Sequence, residues 1–452
     1  MKVKLLFVHG WNVTSFDSYG ELPDALKISA PPELSIETED LFLGRYINFD
    51  DEITLEDVAR AFNKARLDVV GKEEFSCITH STGGPVIRLW MHLYYGSNGF
   101  SNCPLKHLVM LAPANHGSAL AALGKKRLVR FAKELFKGVE QGIQLLRWLQ
   151  LGSNEQRELN MAWLDYSPEN SDCYSFVLTG ETIDNSFYDF INSYLVEPGS
   201  DGVIRICSAN MNYQYVELIQ NNDPELIGFD GKKIALLSPV RGIVQSPSTP
   251  LAIIPEASHS GTAFGIMRNV KRNEPVVSRI LDCLKVASRQ DYENITHDFN
   301  AQLQLNQETT DKFSMLIFRI RDDRGNIIED FDMLLLAGES YRPDMLPQGF
   351  FQDRQYNKQS GALVYYINHS QMGEESHFGI RINARPDVGF CRYVPIEFRS
   401  NGYAVHDILK PNQTMLIDVV LKRIVDDETF RFEPLSVAKG DFSNTEPTQS
   451  EN

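Results

Sequence analysis

Nothing in this chain approaches the ~20 consecutive apolar residues that a helix needs to cross a bilayer. Basic residues are in deficit, with 44 Lys and Arg against 60 Asp and Glu and a net charge of −16. That balance disfavours phosphate backbones and excludes nucleic acid as a general partner. Cysteine is scarce: Cys77, Cys103, Cys173, Cys207, Cys283 and Cys391 lie far apart and form no C-x-x-C pair. A disulfide framework and a zinc-binding pattern are thereby excluded, and most of the six are expected as buried free thiols. The first residues, MKVKLLFVHGW, carry a short apolar run without a small-residue cleavage site, so a signal peptide is not expected. The expected compartment is the cytoplasm, with export by a signal-independent route left open. No internal repeat is present.

What is there has the composition of a globular protein, 42% hydrophobic and 10% aromatic. A length of 452 residues exceeds one ordinary core, so two domains are expected. Up to about residue 285, short apolar runs alternate with helical periods, as in parallel α/β units. Strands are predicted over residues 3–8, 75–78, 107–111, 176–178 and 251–254, and helices over 55–70, 85–95, 126–137 and 276–287. The strand runs lack polar alternation, as a sheet covered on both faces requires. Residues 291–312 are polar and read as a linker or surface helix. From 313 to 437 the pattern changes to strands separated by Gly, Pro, Asp and Asn turns, an all-β domain and most simply a sandwich. Residues 438–452 read as a disordered tail.

The segment FSCITHSTGGPVIRLW, residues 75–90, carries the first chemical signal. An apolar run, a serine among small residues and a helix-compatible continuation describe a strand–turn–helix that pushes the Ser81 hydroxyl clear of a sheet edge. Gly83 allows a close turn after it, His80 precedes it, and Pro85 suits a first helical turn. The G-x-S-x-G template is met at Ser81 and Gly83 and broken at Thr79. The competing reading is a serine that merely caps the helix. Serine acyl transfer also needs a base, an acid to orient it and donors for the oxyanion. His259 lies on a small-residue loop just after the run 251–254, where a base belongs. Asp201 sits in a Gly-bounded turn, VEPGSDGV, with Asp184 as the alternative acid. The oxyanion donors are expected to be the backbone amides of Thr82 and Trp11, the latter after His9 and Gly10 at the end of the first strand.

In this order, FVHG, THSTGG, LAPANHGS, GSDGV and ASHSG resemble the α/β-hydrolase superfamily, in particular its bacterial lipases and phospholipase-like esterases. The resemblance covers about residues 1–285. It implies an α/β-hydrolase fold, a mostly parallel sheet flanked by helices with a helical cap, here followed by a C-terminal sandwich-like β domain. It also implies that Ser81 is the nucleophile, Asp201 the acid, His259 the base, and the Trp11 and Thr82 amides the oxyanion hole. His9, Gly10, His80 and Gly83 shape the supporting turns. The implied activity is carboxylester hydrolysis, most simply of lipid or phospholipid acyl esters, with no metal and no organic cofactor.

Catalytic residues are therefore expected within 1–290, with a cap over about 115–172. In residues 126–137, apolar and basic residues recur on separate helical faces. This reads first as a cap helix burying its apolar stripe over the acyl pocket, and alternatively as a basic amphipathic element that meets anionic head groups; a lid can do both. Ile143, Leu146, Trp148, Leu149 and Leu151 are expected to offer surface to acyl chains. The β domain shows no readable chemistry. Two rivals remain: an acyltransferase using the same triad, and a binding or effector protein whose β domain carries the function. The head group, the acyl position and the oligomeric state are not legible.

Overall fold

The computed structural model describes residues 1–9, 16–47, 51–123, 143–166, 171–183, 197–221, 226–260, 264–268, 270, 274–373, 377–401 and 405–425. Strands β1 (Lys2–His9), β2 (Ser35–Phe42), β3 (Phe75–His80), β4 (Leu105–Leu111) and β5 (Tyr174–Gly180) belong to one parallel sheet. The next four, β6 (Tyr213–Gln220), β7 (Leu226–Ile227), β8 (Lys233–Pro239) and β9 (Val244–Gln245), leave it for a second sheet. Strand β10 (Leu251–Ile254) returns beside β5 and completes the order β10-β5-β4-β3-β1-β2.

Alternation along β1 shows why the predicted strands read as continuous apolar runs. Leu5 and Phe7 join one core with Leu22 and Leu26 of α1 (Leu22–Ser29). Leu6 and Val8 join the other, with Val58 and Phe62 of α2 (Leu55–Val70) and Val86 and Trp90 of α3 (Gly83–Tyr95). Both faces are covered, so neither needs polar residues. Helix α2 starts at a capping box, Thr54 with Asp57.

Two further helices, α4 (Ile143–Leu149) and α5 (Asn154–Leu164), lie in the region expected as a cap. Their described residues wedge between the two sheets. Leu145, Trp148, Leu151, Leu159 and Trp163 are buried in the core that also contains Ile317, Val364 and Leu416 of the second sheet. Trp148 and Leu151 are thus taken up by packing rather than offered to acyl chains. Arg319 Nη2 donates to Asn154 Oδ1 at 2.8 Å, and Arg157 pairs with Asp418 across the same seam. The predicted basic helix over 126–137 lies outside the described residues, as does the tail 438–452.

After the short α6 (Ile206–Ala209) come α7 (Glu274–Leu284) and α8 (Arg289–Gln307). The segment read as a linker or surface helix is the helix α8, capped by Ser288, whose Oγ accepts from the Asp291 N–H at 3.2 Å. It buries only Tyr292, Ile295 and Phe299 against the first sheet, which is why its sequence looks polar.

The later strands are β11 (Phe313–Asp322), β12 (Phe331–Ala337), β13 (Phe351–Asn357), β14 (Ala362–Asn368), β15 (Phe378–Ala384), β16 (Cys391–Arg392), β17 (Ile396–Arg399) and β18 (Thr414–Leu421), and all but β16 join the second sheet. Its main path runs β12-β15-β17-β8-β6-β18-β11-β14-β13, while β16 pairs elsewhere. Strand β8 makes the corner, pairing with β17 at Ala235 and Leu236 and with β6 from Leu237 to Pro239. The halves on either side share one core, and Tyr365 Oη on β14 donates to the Met333 carbonyl on β12 at 3.2 Å. This sandwich-like unit begins earlier than the sequence reading places it. Strands β6 and β8 come from the segment between the acid and histidine motifs, so a boundary near residue 290 does not separate the two sheets.

Candidate active site

Strand β3 ends at His80, and the next residue, Ser81, has φ 54°, a left-handed conformation unusual for serine. Two backbone hydrogen bonds hold it there: Ser81 N–H to Leu111 O at 3.0 Å, and Ala114 N–H to Ser81 O at 3.1 Å. Helix α3 opens two residues on, with Thr82 in the cap position. The predicted strand–turn–helix is present, with Ser81 strained at the bend. A β-carbon on Gly84 would lie 2.9 Å from Pro113 Cβ and 3.0 Å from Met110 Sδ, so this glycine lets α3 approach β4.

His259 follows β10 on the adjacent loop and is buried. Its Nδ1 is 2.9 Å from Asp201 Oδ2. An ionised carboxylate can only accept, so Nδ1 carries the proton and Nε2 presents a lone pair. That Nε2 is buried and has no hydrogen-bond partner among the described residues. His259 N–H also donates to the Asp201 carbonyl at 3.1 Å, tying the two loops by backbone as well. Asp201 Oδ1 accepts from the amides of Val203 at 3.0 Å and Ile204 at 2.7 Å, which fixes the carboxylate in the turn. The alternative acid, Asp184, lies outside the described residues.

His80 joins the serine turn to the histidine loop. Its Nε2 is 2.9 Å from the His259 carbonyl, and the two rings lie 4.6 Å apart. Burial, and then the neighbouring His259, hold the His80 imidazole well below its ordinary pKa, so it is neutral and donates to that carbonyl. A β-carbon on Gly180 would lie 2.0 Å from the Ala257 carbonyl, so the end of β5 needs glycine to seat the same loop. Position 259 is therefore fixed beside position 80 and paired with position 201.

Thr82 is buried, and its amide makes no backbone hydrogen bond among the described residues. His9 ends β1 opposite Phe42. Gly10 and Trp11, expected at the second oxyanion donor, lie outside the described residues.

Sequence reasoning missed the buried polar cluster behind the serine turn. Arg88 of α3, fully buried, donates to Asn115 Oδ1 at 3.1 Å and Asn160 Oδ1 at 2.9 Å, with Trp163 beneath its guanidinium at 4.9 Å. No carboxylate partner is described for it, and burial pushes its pKa down to about 10. His116 shares Asn160 through Nδ1 at 3.0 Å, and burial, then Arg88, push its pKa down to about 3. The motif LAPANHGS contains Asn115 and His116, yet only the fold brings Arg88 and Asn160 to them.

Among the described residues no helix is long and apolar enough to cross a membrane. No protein-family model and no curated protein matches the chain. Among solved structures, the phospholipase PlaB from Legionella pneumophila in complex with thio-NAD is similar at 36% identity, covering 97% of this chain and 98% of that chain, with a TM-score of 0.83. A second structure of PlaB gives 37% identity, 97% of each chain and the same TM-score of 0.83.

Proposed function

The chain belongs to the family of the phospholipase PlaB, within the α/β-hydrolases, and from that premise we propose that it hydrolyses phospholipid acyl esters by serine catalysis. The observation that carries this reading is His259, paired with Asp201 through Nδ1 and held beside the strained Ser81 turn with its Nε2 unpartnered among the described residues. In the proposed mechanism His259 Nε2 takes the Ser81 proton as Oγ attacks the ester carbonyl. The developing oxyanion accepts from the Thr82 amide and from a donor in the loop after β1, expected at Trp11. Asp201 stabilises the imidazolium, which then protonates the departing lysophospholipid oxygen. Water, activated by the same histidine, releases the fatty acid from Ser81.

Phospholipid vesicles report the reaction directly, and a fluorophosphonate probe reports the nucleophile. Wild-type protein should release free fatty acid and take up the probe, and Ser81→Ala should do neither. Equal labelling of the two proteins would remove Ser81 from the mechanism. Fatty acid passed to an added alcohol in preference to water would make the enzyme an acyltransferase.

A further inference from the structure

The turn that carries Asp201 is gripped from the second sheet, at a point remote in sequence and unexplained by the chemistry above. Within the turn, the Asp201 N–H donates to Ile204 O at 3.1 Å and the Ile206 N–H to Gly199 O at 2.9 Å. Ser200 and Arg205 bridge its two arms. The Arg205 side chain is 2% exposed and forks onto one carboxylate, Nε to Glu197 Oε2 at 2.7 Å and Nη2 to Glu197 Oε1 at 2.8 Å. Nη2 also donates to Asp353 Oδ2 at 2.5 Å. Asp353 belongs to β13, the edge strand of the second sheet, and is steadied by Gln355 Nε2 at 3.0 Å.

The neighbouring strand reinforces this grip. Tyr366 on β14 lies under the Arg205 guanidinium at 4.2 Å, and its hydroxyl donates to the Pro198 carbonyl at 2.7 Å. Gly199 has φ 72°, and a β-carbon there would meet Tyr366 Oη at 2.6 Å. Burial alone would lower the Arg205 pKa, but Glu197 and Asp353 hold it above the ordinary arginine value, so the cation is permanent. Two carboxylates and an aromatic face around one buried guanidinium fix the turn in position and angle, which a single point charge would not do.

We infer that Arg205 is a positioning residue, and that the second sheet, through Asp353, sets the orientation of the Asp201 carboxylate toward His259. The inference rests on the proposed triad. The β-rich unit then acts on the reaction without touching substrate: it holds the acid at the angle that stabilises the imidazolium. Loosening the grip lets Asp201 drift from His259 Nδ1, and the imidazole becomes a weaker base.

Asp353→Asn is the mild probe, because it leaves the Arg205–Glu197 fork in place. Its kcat should fall on the order of 10-fold with KM little changed, as displacement of a catalytic group costs rate more than binding. The acid limb of the kcat/KM profile, which reports the free-enzyme base, should move to lower pH. Arg205→Lys, with the charge but not the fork, should lie between wild type and Arg205→Met in both readouts. Melting temperatures and fluorophosphonate labelling of Ser81 accompany each variant, since a purely structural defect would lower the active fraction without moving the acid limb. Wild-type kcat and an unmoved limb in Asp353→Asn, or a loss of active sites alone, would overturn the inference. If Asp201→Asn itself leaves the rate and the limb unchanged, the triad assignment fails instead, and that result is distinguishable from failure of the grip.

Discussion

A β-carbon built on Gly83 would lie 3.1 Å from Cβ of Thr79, tighter than side chains normally tolerate. This contact explains how the serine turn survives without a glycine two positions before Ser81. Positions 79 and 83 face each other across the bend, and one glycine is enough to make room. Thr79 is buried with its hydroxyl unpartnered among the described residues, a desolvation cost of roughly 1–3 kcal/mol. Gly83→Ala should therefore disturb the Ser81 turn and lower kcat, while Thr79→Gly alone should retain activity. The double variant should recover much of the loss, with a coupling of roughly 0.5–3 kcal/mol in a double-mutant cycle on kcat/KM. Additive losses in that cycle would mean that the two positions do not share the space.

At the scale of elements, the strands that read correctly are those buried on both faces. Strand β3 has five buried residues and one half-buried, so its apolar run admits no other reading. Strand β2, SIETEDLF, lies at the sheet edge with half of its residues exposed and only one buried, and its polarity hid it. Strands β6 and β8 were hidden by position, because they fall between two motifs of the α/β unit while pairing elsewhere. Besides β8, β6 pairs with β18, in parallel register from Tyr213↔Thr414 to Ile219↔Val420. No local pattern announces a partner so distant in the chain. The same distance divides the site: Ser81, Asp201 and His259 each sit at a strand end or turn that local sequence marks, whereas Arg205 depends on Asp353, 148 residues away. The topology also bears on the idea of a separable β domain. Ending the chain after residue 312 removes β18 from beside β6 and strips Phe313, Met315, Ile317, Val364, Tyr366 and Leu416 from the core shared with Trp148 and Trp163. Fragment 1–312 should lack a cooperative thermal transition and all hydrolase activity. A soluble fragment with a sharp transition and wild-type kcat would show that the α/β unit folds without its neighbour.

For the whole molecule, one histidine between the two sheets and one at the end of a second-sheet strand are kept neutral by folding. His116 packs edge-on against Tyr213 of β6, ring centres 5.0 Å apart, while sharing Asn160 with Arg88. His369, at the end of β14, donates its backbone N–H to the Lys312 carbonyl at 2.9 Å. Burial, then Arg88, lower His116 to about 3, and burial, then Lys312, lower His369 to about 4, both from an ordinary 6.5. Below the ordinary value the unfolded chain binds a proton at each position that the folded chain refuses. Unfolding therefore takes up protons, and stability falls as the pH drops below about 6.5. By pH 5 each histidine costs about 2 kcal/mol of stability relative to neutral pH, 1.5 units at 1.36 kcal/mol per unit. Urea unfolding at pH 7, 6 and 5 should show this decline while the carboxylates remain largely ionised. In His116→Gln combined with His369→Gln, stability should fall by about 4 kcal/mol less than in wild type over the same interval, whatever the variant's stability at pH 7. An unchanged pH slope in that double variant would assign the acid sensitivity to other groups.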